Sequence, residues 1–417
     1  MSDTLLNQVV SLVNTHQPLF NKVEAPGLFG GQSGIALLYA QLYQVTNDEL
    51  YAERLTQTLH RLAAQLPQVA AHSTLTYGMA GIGWLLQHLA NRDLLDVDLT
   101  DVEQWIIDSL ATDRHNRNAE LMTGLAGKGV YFLERGTAGT DGLRQVIEAI
   151  ARSTETIPGG IAWHYVSPYT DAPTYSLGLS HGVPGVISFL AKAHRQRICP
   201  NLTQPLLEAS VSWLLQQRLV GAAQGSGQFP GYAGDTQPTR LAWCYGDLGV
   251  AVALWHAAGA LNRPDWHLLA IELVEEAALR TLPESGVRCS NDYIDSGFCH
   301  GTAGLAHLFH RFQQATNSLR IQQAAQYWLQ QTQQAAVRSD AGTASFLTYT
   351  ATDYAPQPNG TIALSWQTDA GLLEGITGIA LVLLTFASPT TPAWDACLMT
   401  DLSPIASPYE IGTNILV

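Results

Sequence analysis

Seven copies of a Gly-x-x-Gly pair, each opening an apolar run, restrict the folds available to this chain more than any other feature. The copies begin at Gly31 (GQSGIALLYA), Gly78 (GMAGIGWLLQHL), Gly124 (GLAGKGVYFL), Gly182 (GVPGVISFL), Gly246 (GDLGVAVALW), Gly301 (GTAGLAHLF) and Gly375 (GITGIALVLL). Successive first glycines lie 47, 46, 58, 64, 55 and 74 residues apart, the spacing of a supersecondary unit repeated along a chain. Between them lie segments such as DGLRQVIEAIARS from Asp141 and DWHLLAIELVEEAALRTL from Asp265. Their apolar residues fall three and four apart, as in a helix buried on one face. The runs after the glycines are apolar on nearly every side and must be enclosed. Each repeat therefore reads as an outer amphipathic helix, a loop, a glycine pair and an inner helix.

The arrangement that encloses seven such inner helices is all-α: a seven-fold α/α barrel, or toroid. It is expected over residues 1–387, with 388–417 as an irregular, Pro- and Ser-rich tail packed on it. The glycines then gather at one rim, where glycine permits tight turns and close backbone approach. Helix N-termini collect there too and favour anions and thiolates.

Composition narrows the function classes. Only 13% of the residues are charged, about half the usual ~25%, while 46% are apolar, which excludes a disordered chain and a coiled coil. The net charge of −14 with no basic run makes a poor binder of nucleic acid or anionic membrane. The opening MSDTLLNQVVSLVNTH shows no signal peptide. The longest apolar stretch, GIALVLLTFA from Gly378, falls short of the ~18–20 residues that span a bilayer. Five scattered cysteines argue against a disulfide framework. The expected compartment is the cytoplasm.

Three rim motifs carry unusual side chains beside the glycine: SHGVPG with His181, WCYGDLG with Cys244, and CHGTAG with Cys299 and His300. Equivalent positions of neighbouring repeats lie at equivalent heights, so these side chains should converge on one patch. Two thiolates and an imidazole suit zinc, and three protein ligands would leave a fourth position open, as in catalytic sites. His181 is then either a fourth ligand, which closes the site, or an acid or base beside it. The competing reading makes Cys244 and Cys299 small buried hydrophobes, but their matched repeat positions weigh against it. Cys199, Cys289 and Cys397 lie outside the motifs and read as ordinary. His88, His256 and His307 lie within inner helices and should hydrogen-bond in the core.

LSHGVPG, RLAWCYGDLG, GFCHGTAG and LLEGITG resemble the signature motifs of the lanthionine synthetase C-like cyclases. The resemblance spans nearly the whole chain, and all seven repeats find a place in that family's barrel. With no room for dehydratase or kinase-like regions, the chain resembles the free-standing cyclase of class I lanthipeptide systems. The resemblance implies a zinc enzyme that adds Cys thiols of a dehydrated precursor peptide across dehydroalanine or dehydrobutyrine, closing (methyl)lanthionine rings. It implies as partners a dehydratase and an export transporter, in a complex at the membrane. Carried over, the zinc ligands are Cys244, Cys299 and His300, with the fourth position open to the substrate thiol. His181 and Arg240 are the neighbouring catalytic residues, and Tyr245 lines the pocket. Bacterial members commonly carry an Asp four residues before the third-repeat glycine. Here Glu120 stands there, either reaching His181 or the substrate, or serving as a solvated or capping carboxylate. Asp247 reads as a cap of the fifth inner helix.

The chemistry is consistent with these roles. Thiol addition at the β-carbon puts negative charge on the substrate carbonyl oxygen, and the α-carbon must then be protonated. His181 can supply a proton near neutral pH, and a permanently charged Arg240 suits the enolate. Long loops before the later glycine pairs, rich in Gly, Pro and aromatics, build up the rim over repeats four to seven, where an extended peptide should bind. The last contains alternating stretches able to pair as a hairpin around Pro358, Asn359 and Gly360. Rival readings are a glycosidase with paired carboxylates, a zinc α/α-barrel prenyltransferase, and a relative that binds zinc and thiols such as glutathione without cyclising a peptide.

Overall fold

Each of the seven glycine pairs caps the start of an inner helix in the computed structural model, which describes residues 2–69, 72–112, 114–167, 173–338, 344–351 and 363–404. The inner helices are α2 Gln32–Thr46, α4 Met79–Ala90, α6 Leu125–Arg135, α8 Val183–Arg195, α10 Asp247–Leu261, α12 Thr302–Thr316 and α14 Ile376–Ala387. The outer ones are α1 Ser2–Thr15, α3 Glu49–Val69, α5 Thr100–Thr112, α7 Thr140–Arg152, α9 Pro200–Leu215, α11 Pro264–Ala277 and α13 Leu319–Gln334. The last inner helix packs on the first and on α1, so the ring closes as the seven-fold α/α barrel expected.

Burial follows the sequence pattern. On α7 the buried side chains include Leu143, Val146, Ile147 and Ile150, a stripe three and four residues apart. On α10 every residue from Asp247 to Ala258 is buried. Fully burying one Leu or Ile contributes roughly 1.5–3 kcal/mol, so an outer helix holds to the ring by one stripe, while an inner helix is buried on most sides and its few polar side chains must find partners.

The second glycine of each pair has a steric reason. A Cβ at Gly304 or Gly378 would lie 1.8 Å from the carbonyl oxygen of Phe298 or Leu372, six residues earlier. The rim loop thus rests directly on the first turn of its own inner helix. Gly246 alone among the first glycines has positive φ, at +89°, a conformation that other residues rarely adopt.

These loops are joined to one another by backbone hydrogen bonds at a single repeat position, two residues before the first glycine. Ser180 N–H donates to Cys244 O (3.4 Å), Cys244 to Cys299 (3.3 Å), Cys299 to Leu373 (2.9 Å), Leu373 to Phe29 (3.2 Å), Phe29 to Thr76 (3.2 Å) and Thr76 to Met122 (3.2 Å). Six links run through all seven repeats. The circuit ends at Met122, whose N–H donates to the Glu120 carboxylate at 2.6 Å.

The segment after α14 packs against the inner helices. It carries a 3₁₀ helix, Trp394–Leu398, whose Trp394, Asp395, Cys397 and Leu398 are buried. Asp395 pairs with His307 (2.9 Å) and Arg311 (3.0 Å) of α12. His256 of α10 donates to Met399 O (2.9 Å), and Trp243 Nε1 donates to Leu398 O (2.9 Å). The segment therefore joins α10 to α12 through hydrogen bonds that an all-apolar interior could not make. His88 reaches Glu134 at 3.0 Å, so His88, His256 and His307 all hydrogen-bond within the core, as expected. Of the expected hairpin, strands Thr348–Ala351 and Leu364–Gln367 pair antiparallel. Its tip at Pro358, Asn359 and Gly360 lies outside the described residues.

Removing one member of a buried ion pair costs roughly 3–5 kcal/mol. Asp395→Ala should lower unfolding stability by about that much in urea titrations. Asp141→Ala, which breaks an exposed pair with Arg144, should stay within about 0.5 kcal/mol of wild type. Equal effects would show that the segment is not a cohesive part of the barrel.

Candidate functional site

The rim circuit decides which side chains meet. Cys244 and Cys299 occupy its position in repeats five and six, and Cys244 N–H donates to Cys299 O. The residue that follows, just before the first glycine, is His181 in repeat four, Tyr245 in five, His300 in six and Glu374 in seven. Repeats four to seven thus present a contiguous row of two thiols, two imidazoles, a phenol and a carboxylate. Cys244 is buried and Cys299 half-buried, and neither is in a disulfide.

The tightest cluster joins Cys299, His300 and Glu374, whose potential ligand atoms all lie within 4.8 Å of one another. Cys244 adjoins it through a side-chain contact with Cys299. His300 Nδ1 donates to Asp295 Oδ2 at 3.0 Å, leaving Nε2 to face Glu374 Oε2 at 3.3 Å. Asp295 is itself held, since Oδ1 accepts the Gly297 N–H at 3.1 Å. Carboxylate support of a histidine's far nitrogen fixes its tautomer and ring orientation. Glu374 and Asp295 carry no assignment in the sequence reading. The signal for Glu374 was its repeat position, shared with His181 and His300. Asp295 had no comparable signal.

The electrostatics are those of crowded anions. The Cys299 thiol beside it pulls the Cys244 pKa down to about 6 against the effect of burial, with help from His300 and Arg240. Cys299 is pushed well up by the same partner and by burial. Burial alone would lower the His300 pKa, but Glu374 and Asp295 raise it to about 9. Burial, Asp295 and Cys244 raise Glu374 to about 7 against the pull of His300. One thiolate, one carboxylate and a neighbouring Asp thus compete for a single imidazolium. A cation among Cys244, Cys299, His300 and Glu374 would relieve that competition.

His181 stands beside this cluster, half-buried, with Tyr165 tilted against its ring at 5.0 Å. Its Nδ1 donates to Glu120 Oε2 at 3.1 Å. Glu120 is buried and also accepts from the N–H groups of Met122 and Thr123 and from the Thr123 hydroxyl. The longer side chain therefore reaches His181, and the carboxylate is neither solvated nor a helix cap. Burial works to raise its pKa, but His181 and the Thr123 bonds outweigh burial and hold it below the usual range.

Arg240 acts on both cysteines electrostatically and lines a rim cavity of about 680 Å³ with Gln224, Ser226, Thr239, Arg280 and Glu284. The cavity and the cysteine cluster thus share Arg240. Tyr245 shares a hydrogen bond with Tyr232 at 3.3 Å between hydroxyls. Asp247 is not a cap of its helix, as the sequence suggested. It is the first helical residue, buried, and its carboxylate accepts from Gln228 N–H, Phe229 N–H and Arg280. It anchors the fifth rim loop.

Comparisons with known proteins agree with this architecture. A family model described as lanthionine synthetase C-like protein matches residues 23–399. The nisin biosynthesis protein NisC of Lactococcus lactis subsp. lactis is 24% identical over 324 residues, 70% of this chain and 74% of its own. The solved structure of nisin cyclase matches with a TM-score of 0.73 at 20% identity, covering 94% of this chain and 97% of its own, a likeness of fold.

The Glu120 network makes a prediction about acid. A carboxylate with a lowered folded pKa stabilises the fold above its unfolded value, and that contribution is lost as pH falls through the folded value. Glu120→Gln, which puts an amide among these donors, should cost about 1–3 kcal/mol at pH 7. The difference from wild type should shrink below the ordinary carboxylate value of 4.5. Urea titrations from pH 7 to pH 3 read it, and a pH-independent difference would contradict the assignment.

Proposed function

The chain belongs to the lanthionine synthetase C-like family, and from that premise we propose that it is a zinc-dependent peptide cyclase. It forms (methyl)lanthionine rings by adding Cys thiols to dehydroalanine or dehydrobutyrine in a precursor that a separate dehydratase has already modified. The observation that carries the reading is the pairing of Cys244 and Cys299 across adjacent rim loops, beside a His300 whose far nitrogen Asp295 holds. The donor set fits the metal. Thiolate and imidazole donors suit zinc, and Glu374 Oε2 is buried without a hydrogen-bond partner, as expected of an oxygen that faces a cation site.

Cys244, Cys299 and His300 would hold the zinc. The ion, when bound, supplies Lewis acidity that shifts a thiol toward thiolate at neutral pH. Thiolate donors leave a neighbouring sulfur electron-rich, whereas three neutral histidines would blunt it. The new S–C bond forms at the β-carbon, and the electron pair moves toward the substrate carbonyl. Arg240, permanently charged, stabilises that developing enolate. The α-carbon then takes a proton. His181 donates Nδ1–H to Glu120, so Nε2 is the nitrogen placed to deliver it, and the Glu120 carboxylate fixes the ring's orientation. The cavity beside Arg240 and the loops of repeats four to seven accommodate the peptide around the reacting residues.

Incubation with a dehydrated precursor should leave the peptide mass unchanged while removing thiols that can be alkylated, as read by mass spectrometry. Retention of every alkylatable thiol would overturn the cyclase reading and leave a thiol-binding relative. Cys244→Ala and Cys299→Ala should each lose most of about one equivalent of zinc by elemental analysis. Full retention in both would remove them as ligands. His181→Ala should keep zinc and lose roughly 10²–10⁴-fold in cyclisation. A parallel loss of zinc would make His181 a ligand instead. Arg240→Lys should retain more activity than Arg240→Ala, since charge without the planar fork is partly sufficient. Equal rates would reduce Arg240 to a support of the rim.

A further inference from the structure

We propose that the substrate peptide leaves the reacting cluster across repeats one and two, with its backbone laid against Gly30 and a side chain against Tyr77. The inference rests on the cyclase reading above and goes beyond it, because that reading seats the peptide only beside Arg240 and on repeats four to seven.

The position just before the first glycine is half-buried or exposed in every rim motif, while the glycine that follows it is buried. In repeats four to seven it holds His181, Tyr245, His300 and Glu374, all half-buried. In repeats one to three it holds Gly30, Tyr77 and Thr123, and Gly30 and Tyr77 are the two exposed members of the ring. The connections account for the difference. The early ones are short, as from Val69 to Met79, and the late ones long, as from Gln334 to Ile376. The uncovered side begins beside the cluster, because Leu373 N–H donates to Phe29 O and Phe29 N–H to Thr76 O. Those bonds set Gly30 next after Glu374 around the rim, and Tyr77 next after Gly30.

The fold itself gives no reason for a glycine at position 30. A Cβ there would meet nothing within 4 Å, and its φ is not positive. No other described glycine combines the two. At Gly31, by contrast, a Cβ would lie 2.3 Å from Ala25 O. Among the described residues, neither the N–H nor the C=O of Gly30 has a hydrogen-bond partner. Such a glycine costs backbone entropy on folding without easing a turn or a packing contact. What it does permit is the close approach of another chain. Its N–H and C=O can then bond to an extended peptide, as the edge of a sheet does, and any side chain would stand in that space. Tyr77, set edge to face with His72 at 5.4 Å, is 39% exposed. It offers the next contact, since a tyrosine supplies large area at low entropic cost.

The test uses the full, zinc-loaded chain with Gly30→Ala, Gly30→Phe and Tyr77→Ala, and with Leu50→Ala, an exposed position on outer helix α3, as control. Two synthetic peptides serve as probes, each with one dehydroalanine and one cysteine. The short probe ends at those two residues, and the long one carries an extended segment on either side. Cyclisation is followed by the loss of alkylatable thiol, with KM and kcat separated. Wild type should show a lower KM for the long probe than for the short one. Gly30→Phe should raise KM for the long probe roughly 10-fold or more, about what forcing a side chain into filled space costs, with kcat unchanged. Gly30→Ala and Tyr77→Ala should raise it less. KM for the short probe, zinc content and the urea midpoint should stay at wild-type values in all three, and Leu50→Ala should match wild type throughout. A KM for the long probe within twofold of wild type in Gly30→Phe would overturn the proposal. Equal increases for both probes, or a loss of zinc or stability in Gly30→Ala, would overturn it as well, since Gly30 would then serve the reacting cluster or the fold. A wild-type protein that cyclises neither probe would defeat the cyclase reading itself, an outcome distinct from failure at Gly30 alone.

Discussion

At six of the seven junctions between neighbouring repeats, a backbone hydrogen bond at the rim runs from the residue two before the first glycine to its counterpart in the next repeat. A single bond of this kind is worth only about 0.5–1.5 kcal/mol net, so its weight lies in geometry more than in energy. Each rim loop must approach both its neighbour and the first turn of its own inner helix. The second glycine makes room for that approach, since any Cβ at Gly304 or Gly378 would strike a carbonyl oxygen. The glycine pairs and the circuit are therefore two aspects of one constraint, and the helical ring is built around it.

The site inherits its arrangement from that circuit. Cys244 and Cys299 are adjacent because they are successive members of it, although 55 residues separate them in the chain. Where the circuit stops, between repeats three and four, the Glu120 carboxylate takes the free Met122 N–H and holds His181 as well. One side chain thus completes the backbone network and orients the proposed proton donor. From below, Trp243 and Phe298, the residues preceding the two cysteines, rest on the segment after α14 through the Leu398 carbonyl and the Trp394 ring. The cysteines are fixed from the side by the rim and from beneath by the chain's own later residues.

The barrel was legible in the sequence because its signal repeats seven times and each copy combines a helical period with a glycine pair. Cys244, Cys299, His300 and His181 were legible because they break the repeat at matched positions, and the structure brings them together. Glu374 was missed although its motif was read, because a single acidic residue beside a glycine suggests a helix start as readily as a ligand. Only three dimensions reveal its place against His300 and Cys299. Asp295 was missed because it reaches His300 within one irregular loop that carries no period. Asp247 was read as a cap from its place beside Gly246. Its real partners are Gln228, Phe229 and Arg280, up to 33 residues away, a distance at which helix-start patterns say nothing. The 3₁₀ turn at Trp394–Leu398 is too short for a hydrophobic period, so its packing against the inner helices left no trace in the sequence.

The central claim is that the rim circuit assembles one zinc centre from two cysteines and a histidine on adjacent repeats. X-ray absorption at the zinc edge of the purified wild-type protein tests it without reference to activity. The account predicts about two sulfur scatterers near 2.3 Å and one imidazole nitrogen near 2.0–2.1 Å, with a light-atom fourth neighbour. A zinc shell of nitrogen and oxygen alone, or a protein that carries no zinc when purified in its presence, would contradict it.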